Sequence, residues 1–520
     1  MKYLIFIILH LSFISCLGQN FQIDWKKCYG TVGYDLGKDV IQVSDGYLLL
    51  NSFDQKDIWL IKTDFSGNFI WEKIFGGTSA DDAVRILEDE DGNYIIFGSS
   101  RSSNGDVSFD PYPNSLDFWI IKIDSLGNKI WDKIYGGFDL DEVFNGCISP
   151  DGGILAVGMT NSVDGNVPAN YGYYDFWVLK LDHYGEFEWS TLVGGGFFEQ
   201  ASSVLATSDG GFLVGGQASP ELSIGGNLTC SSDVDKFMDM YLIKLDSTGV
   251  IEWQQCLGGS EGEYATDLIE VDDGYVICGE ARSDDGDLLN SNYHYGYYHT
   301  GDPTPDAWVV KTDFIGNLTW QKCYGGSAPE SPSRIFKTEK GYRIFGTAYS
   351  FDGDVTGNNS WNSTYSDIWT FEIDSSGSLL SNQCFGSTGF EEMLQGVVKL
   401  SDFQFTLSGS TTSQSWSCGD QYDMAFFQIT DTLIDASGDY PLYQPVTIYP
   451  NPVVGEVIFQ NSRRMNVLVS IRDMLGNQIK EFVLRDKYLF DTIHLPCGVY
   501  LYNYSIGNKQ FNGKFIIIKP

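Results

Sequence analysis

One seven-residue pattern recurs along this chain and constrains its fold more than anything else in it. W-E-K-I-F-G-G at 71–77 returns as W-D-K-I-Y-G-G at 131–137, more loosely at 189–195, 253–259 and 320–326, and in degenerate form at 25–30 and 381–386. Between these copies runs a second pattern, D-x-[WY]-x-x-K-x-D, at 57–64, 117–124, 175–182, 239–246 and 306–313, weaker at 367–374 and 423–430. A third, a turn followed by a β-rich run, appears at 46–50, 92–98, 153–158, 211–215, 274–279, 341–346 and 403–409. Each pattern occurs seven times at a spacing of roughly 60 residues, and a repeat of that length marks a unit that buries its apolar face only against its neighbours.

Each unit supplies four short strands: one after the Gly-Gly pair, one after the D-G turn, the D-x-W strand and the G-N-x-x-W strand. Turn residues break the apolar stretches every 8 to 20 residues, and no 3.6-residue periodicity is present. Four-stranded units repeated radially make a β-propeller. The register predicts how it closes. The repeat region opens at 22–28 with a fourth-strand pattern and finishes at 391–430 with the first three, so the N-terminal strand completes the last unit and leaves no sheet edge open. The expected fold is all-β: a seven-bladed β-propeller closed by the N-terminal strand, followed by a small β-sandwich.

Over residues 20–430 the repeats resemble those of bacterial β-propeller repeat proteins, which implies the fold and no particular activity. Residues 431–445, with Ser437, Gly438, Asp439 and Pro441, read as a linker. Beyond it, Y-P-N-P at 449–452, I-R-D-M-L-G-N at 471–477, L-P-C-G-V-Y at 495–500 and K-F-I-I-I-K-P at 514–520 together resemble the type A C-terminal sorting domain of type IX secretion substrates. That resemblance implies a β-sandwich over 446–520 recognised by the outer-membrane translocon, with Pro450, Asn451, Pro452, Gly498, Tyr500, Lys514 and Lys519 as motif residues. It also implies an address outside, or on the outer surface of, a Gram-negative bacterium.

The N-terminus fits export. Lys2 precedes an apolar run from Leu4 to Leu17, closed by Gly18, the pattern of a secretory signal over 1–18. A rival reading takes Phe13 to Cys16 as a lipobox, with Cys16 acylated. No later stretch is apolar enough to cross a membrane, so the propeller is expected over 19–430 without a transmembrane segment. A formal net charge of −37 repels phosphate backbones and anionic headgroups, which argues against a nucleic-acid partner. Cys28, Cys256, Cys323 and Cys384 stand where other repeats carry Ile74, Ile134 and Leu192, so they read as small buried hydrophobes with no disulfide framework.

Catalytic signals are few. G-x-S-x-G at 258–262 carries the repeat's own Gly-Gly and is followed by a strand, where a nucleophile elbow needs a helix. The connections between second and third strands are long, and long loops on a rigid scaffold collect binding residues. They hold Tyr171, Tyr173, Tyr174, Tyr293, His294, Tyr295, Tyr297, Tyr298, His299 and Trp361, aromatic faces with polar tips suited to a glycan or a protein ligand or to packing their own loops. The loop at 283–306, with its paired histidines, is expected to contribute most. Asp285, Asp287, Asp352 and Asp354 form S-x-D-G-D motifs that suit either calcium or ordinary Asx-turns. The chain reads as an extracellular binding protein, an adhesin or glycan-binding module, and not as an enzyme. The alternatives are a carboxylate-dependent hydrolase of glycosidase type on the loop face, with two acids in acid/base roles, and a structural surface component.

Overall fold

The computed structural model describes residues 21–30, 34–53, 57–219, 226–229, 238–297, 301–358, 365–387, 392–412, 423–431, 446–449, 456–461, 467–473, 476–485, 487–506 and 509–517. It divides into two units, 1–432 and 433–520. The first holds seven four-stranded antiparallel sheets. Six are consecutive in the chain, at 36–75, 81–135, 141–193, 200–257, 263–324 and 330–385. The seventh takes its outer strand, Phe21–Tyr29, from the start of the region and pairs it with Asp423–Asp431, Phe21 opposite Asp431 and Tyr29 opposite Met424.

A β-propeller results because the third strand of each sheet is apolar on both faces. In Asp117–Ile123 every residue is buried, although alternate side chains leave opposite faces. Trp119 and Ile121 pack back onto the first sheet, and Phe118 and Ile120 pack forward onto the third. Seven such interface clusters link consecutive sheets, the last joining Met424 and Phe426 of the seventh to Val40, Leu49 and Trp59 of the first. The inner strands touch in the same cyclic order, so the sheets close into a ring.

The repeat motifs are the fittings of this ring. The Lys of D-x-W-x-x-K reaches the Asp of its own sheet's first turn, as in Lys122 with Asp89 at 2.7 Å, Lys244 with Asp209 at 2.9 Å and Lys311 with Asp273 at 2.7 Å. In the sixth sheet the position holds Glu372, paired instead with buried Arg343 at 3.0 Å. The motif Trp lies under the third-to-fourth hairpin of the next sheet. Gly185, at φ +78°, has no room for a side chain there, because a Cβ would fall 2.8 Å from Trp131. Where the motif carries Tyr, its hydroxyl donates to the carbonyl of that same glycine position, as Tyr324 does to Gly377 at 2.5 Å.

The first strand of every sheet carries a β-bulge. The bulged residues are Lys38, Val84, Phe144, Ser202, Thr266, Ser333 and Gln395. One per sheet, they all line a cavity of about 320 Å³ at the centre of the ring. A bulge bends its strand and re-aims its side chain, and here all seven are turned to the channel.

The second unit is a pair of sheets, one of three strands (Val446–Tyr449, Glu456–Asn461, Lys487–Asp491) and one of four (Gln478–Leu484, Val467–Arg472, Gly498–Ile506, Lys509–Ile517). Val457, Phe459, Ile471, Tyr502 and Phe515 form its core.

The cysteines correct an expectation. Cys28 and Cys256 are disulfide-bonded, whereas Cys147, Cys278, Cys323, Cys384 and Cys497 are free. Occupying an aliphatic position in the repeat says what surrounds a cysteine, not whether it is bonded. Burial pushes the Cys147 and Cys278 thiols up to about 12 and raises Cys323 and Cys384 as well, so none of these forms the reactive thiolate near neutrality. Iodoacetamide applied to the native protein at pH 8 is expected to label exposed Cys497 and spare these four, and Cys28 and Cys256 are expected to react only after reduction and unfolding. Peptide mass mapping reads both.

Candidate functional site

The long second-to-third connections and the Gly-Gly links meet on one face, and the S-x-D-G-D loops join them. Asp285 accepts the amide of Ser260 at 2.8 Å, and Asp287 accepts that of Gly258 at 3.1 Å. Asp352 takes the Ser327 amide at 2.8 Å and hydroxyl at 2.8 Å, while the Asp354 amide donates to the Gly325 carbonyl at 2.7 Å. The same strut recurs at Asn104 and Asp106 and at Asp164 and Asn166. Asp285, Asp287 and Asp352 therefore spend carboxylate oxygens on the links of their own sheets, while Asp354 Oδ2 lies toward His294. Among the described residues no three acidic, histidine or cysteine side chains form a group able to hold a metal.

Under each link lies an acid that the motif reading missed, four residues after the second glycine. Asp81, Asp141, Glu199, Glu263 and Glu330 accept that glycine's amide at 2.7 to 3.0 Å. The third-strand aspartate approaches from the other side: a Cβ on Gly136 would stand 2.0 Å from Asp117 Oδ1 and 2.6 Å from Asp141 Oδ2. Gly-Gly is thus what lets two carboxyls close on one another. Burial raises Asp117 to about 8, Asp239 and Glu263 to about 7, and Glu330 to about 8. All four are buried beneath the backbone of the links. The signal for them was present as G-G-x-x-x-[DE] in five repeats.

The predicted aromatic residues form two separate groups. Tyr173 and Tyr174 stack edge-on at 4.5 Å, and Tyr174 meets Phe198 at 5.5 Å. Tyr171 is exposed, and its amide donates to Asp175 at 2.6 Å. In the loop at 283–306, Tyr293 packs against the core with its hydroxyl on the Thr304 carbonyl at 2.5 Å, whereas Tyr295 and Tyr297 are 63% and 66% exposed. His294 is a strut: its amide and Nδ1 both meet Asp306 Oδ2, at 2.8 and 3.0 Å, and Nε2 lies 3.7 Å from Asp354. The hydrogen bond to Asp306 raises its pKa. The first half of this loop is woven into the fold, since Leu288 is buried in the core and the Ser291 carbonyl accepts the Cys323 amide at 2.7 Å. Tyr298, His299 and Trp361 lie outside the described residues.

What the loop does build is the wall of a pocket of about 430 Å³ between the fourth and fifth sheets. Gln217 and Met238 come from one side, Glu261, Tyr264 and Arg282 from the other, and Asp302 and Pro303 from the far end of the loop. Arg282 lies 3.9 Å from buried Glu280, and its Nε is buried without a hydrogen-bond partner. A smaller cavity, lined by Gln200, Ser202, Gln217 and Tyr264, adjoins it toward the channel. A wider hollow of about 560 Å³ lies on the opposite face against Trp253, Phe314 and Ile315. It is formed by the Trp-and-hairpin latch found between most sheets, and so is an architectural feature.

In the C-terminal unit, Gly498 at φ +153° turns the chain into the strand that carries Tyr500. The Tyr500 hydroxyl donates to the Pro496 carbonyl at 3.0 Å and its ring stacks on Phe515. Lys514 is exposed, and Pro450, Asn451, Pro452 and Lys519 lie outside the described residues. Residues 447–519 match the family model of the secretion system C-terminal sorting domain. This unit is a type IX sorting domain. Such a domain directs its carrier through the type IX machinery to the cell surface or the extracellular space.

No curated protein matches the chain. Among solved structures it is similar to puromycin hydrolase (12% identity, TM-score 0.37), over 72% of this chain and 50% of that one, so that it spans half the hydrolase's length. It is also similar to Sqt1 from Chaetomium thermophilum (9%, TM-score 0.40), over 80% and 100% of the two chains. A third similarity is to the PQQ domain of pyranose dehydrogenase from Coprinopsis cinerea (10%, TM-score 0.36), over 78% and 97%.

Proposed function

We propose that the propeller is a secreted or surface-displayed binding module that takes a glycan at the pocket between the fourth and fifth sheets. The observation that carries this is the pocket's wall, in which a guanidinium, an amide and two carboxylates surround the half-buried ring of Tyr264. Sugars present hydroxyl groups around an apolar ring face, and such a wall answers both. Export follows from the sorting domain, with removal of 1–18 and later cleavage near 431–445. A protein ligand on an adhesin would use the same face, with Tyr295 and Tyr297 at its rim.

A glycan array probed with the mature propeller tests this reading. Arg282→Ala and Gln217→Ala are each expected to weaken the best hit by about tenfold, the effect of losing a hydrogen bond worth ~1.4 kcal/mol, with little change in melting temperature. Turnover of an array sugar, abolished by a single Asp→Asn change, would replace this reading with the hydrolase.

A further inference from the structure

Residues 1–432 contain only five arginines, and two of them, Arg85 and Arg334, face each other across the central channel. A third, Arg282, lines the adjoining pocket. The guanidiniums of Arg85 and Arg334 both approach Asp39 of the first sheet, with Nε of one at 3.6 Å from Oδ2 and Nη2 of the other at 3.8 Å from Oδ1. Neither distance is that of a hydrogen bond. Asp39 Oδ2 is instead engaged by the Ile86 amide at 3.1 Å, and Asp267, the other carboxylate beside these arginines, is engaged by the Ile335 amide at 3.0 Å. Both acids thus fasten one sheet to the next. Arg334 spends one donor, on the Ser333 carbonyl at 2.9 Å, and Arg85 Nε is buried with no partner. Lys38, from the bulge ring, brings a third cation, held by Asp82 at 2.6 Å.

A chain with a net charge of −37 would gain stability by placing these cations over its carboxylate-rich surface, yet it gathers them in a cavity. The desolvated Arg85 Nε, left unspent, carries a cost that the cluster tolerates. The repulsion of the distant surface carboxylates is screened within about 8 Å at physiological salt, so the nearest groups decide what enters. At about 320 Å³ the cavity has the volume of roughly ten waters.

We propose that the central channel binds an oxyanion between Arg85 and Arg334, with Ser333 and Thr266 in its wall. Planar guanidinium forks suit carboxylate and phosphate oxygens alike. The site is independent of the loop-face pocket: glycan binding without anion binding, or the reverse, separates the two.

Calorimetric titration of the mature propeller with inorganic phosphate, and separately with citrate, at constant ionic strength in chloride, tests the proposal. The expected result is saturable binding of at least one anion with a Kd below about 1 mM. Arg85→Gln and Arg334→Gln are expected to weaken it by about tenfold or more, and Arg101→Gln, outside the cavity, to leave it unchanged. Phosphate alone would identify a phosphoryl site and citrate alone a carboxylate site. Absence of saturable binding by either anion, or unchanged binding in both channel variants, overturns the proposal. If those variants fail to fold, phenylglyoxal modification of the unaltered protein decides. Protection of Arg85 and Arg334 by the anion supports the site, and equal modification with and without it overturns it.

Discussion

The melting temperature of the propeller is expected to fall as the pH rises from 5 to 8. Seven buried carboxyls beneath the Gly-Gly links carry raised pKa values. Asp117 and Glu330 are pushed to about 8, Asp239 and Glu263 to about 7, and Asp141, Asp175 and Asp306 to about 6, in each case chiefly by burial. The folded state therefore holds protons that the unfolded chain has released by about pH 4 to 5, and each of these is lost as the pH climbs through the folded value. His294, raised by its bond to Asp306, acts in the same direction. Turn aspartates such as Asp209, lowered to about 2 with the help of Thr207 and Lys244 despite some burial, act oppositely and destabilise the fold only below about pH 4. The optimum is thus mildly acidic, and a loss on the order of 10 °C between pH 5 and 8 is expected. Asp117→Asn, which mimics the protonated acid, is expected to keep the stability at pH 5 and lose less of it at pH 8. Scanning calorimetry across that range reads the slope, and a melting temperature that is flat or rises would contradict the assignment of these acids.

Removing the strand Phe21–Tyr29 is expected to abolish cooperative folding of the first unit. That strand completes the seventh sheet, with a register shift between Ile23 and Trp25. Phe21 lies among Phe385 and Phe405 at 6.5 and 6.0 Å, with the Arg343 guanidinium 4.8 Å from its ring. Trp25 sits beneath Gly67 of the first sheet, as the motif tryptophans do elsewhere. Loss of Phe21 alone is worth roughly 3–5 kcal/mol, and the deletion also exposes the edge of Asp423–Asp431 to other chains. Calorimetry and light scattering on residues 31–432 against 20–432 check this. A truncated form that melts at the same temperature would show that the ring does not depend on this strand.

Much of the ring was legible because the repeat makes the same local statement several times. The D-x-W-x-x-K ion pairs, the Gly-Gly links and the tight hairpins all follow from residues that recur at fixed offsets. Features that depend on pairing between strands were not legible. The first-strand bulges leave no mark in apolar periodicity, and so nothing in the sequence sets the channel residues Arg85 and Arg334 apart. The S-x-D-G-D motifs look like cation ligands in one dimension, and in three they face backbone amides. Tyr293 and His294 look like loop decoration, yet the core and Asp306 claim them. The pocket draws Gln217, Arg282 and Asp302 from three segments and two sheets, a convergence no single stretch of sequence announces.

Whether a secreted propeller takes its ligand between the fourth and fifth sheets is tested by a crystal structure of the mature propeller with its tightest array ligand. Ligand density is expected in contact with Gln217, Tyr264 and Arg282. Density on the opposite face against Trp253 and Phe314, or confined to the Tyr173–Tyr174 loop, would contradict it.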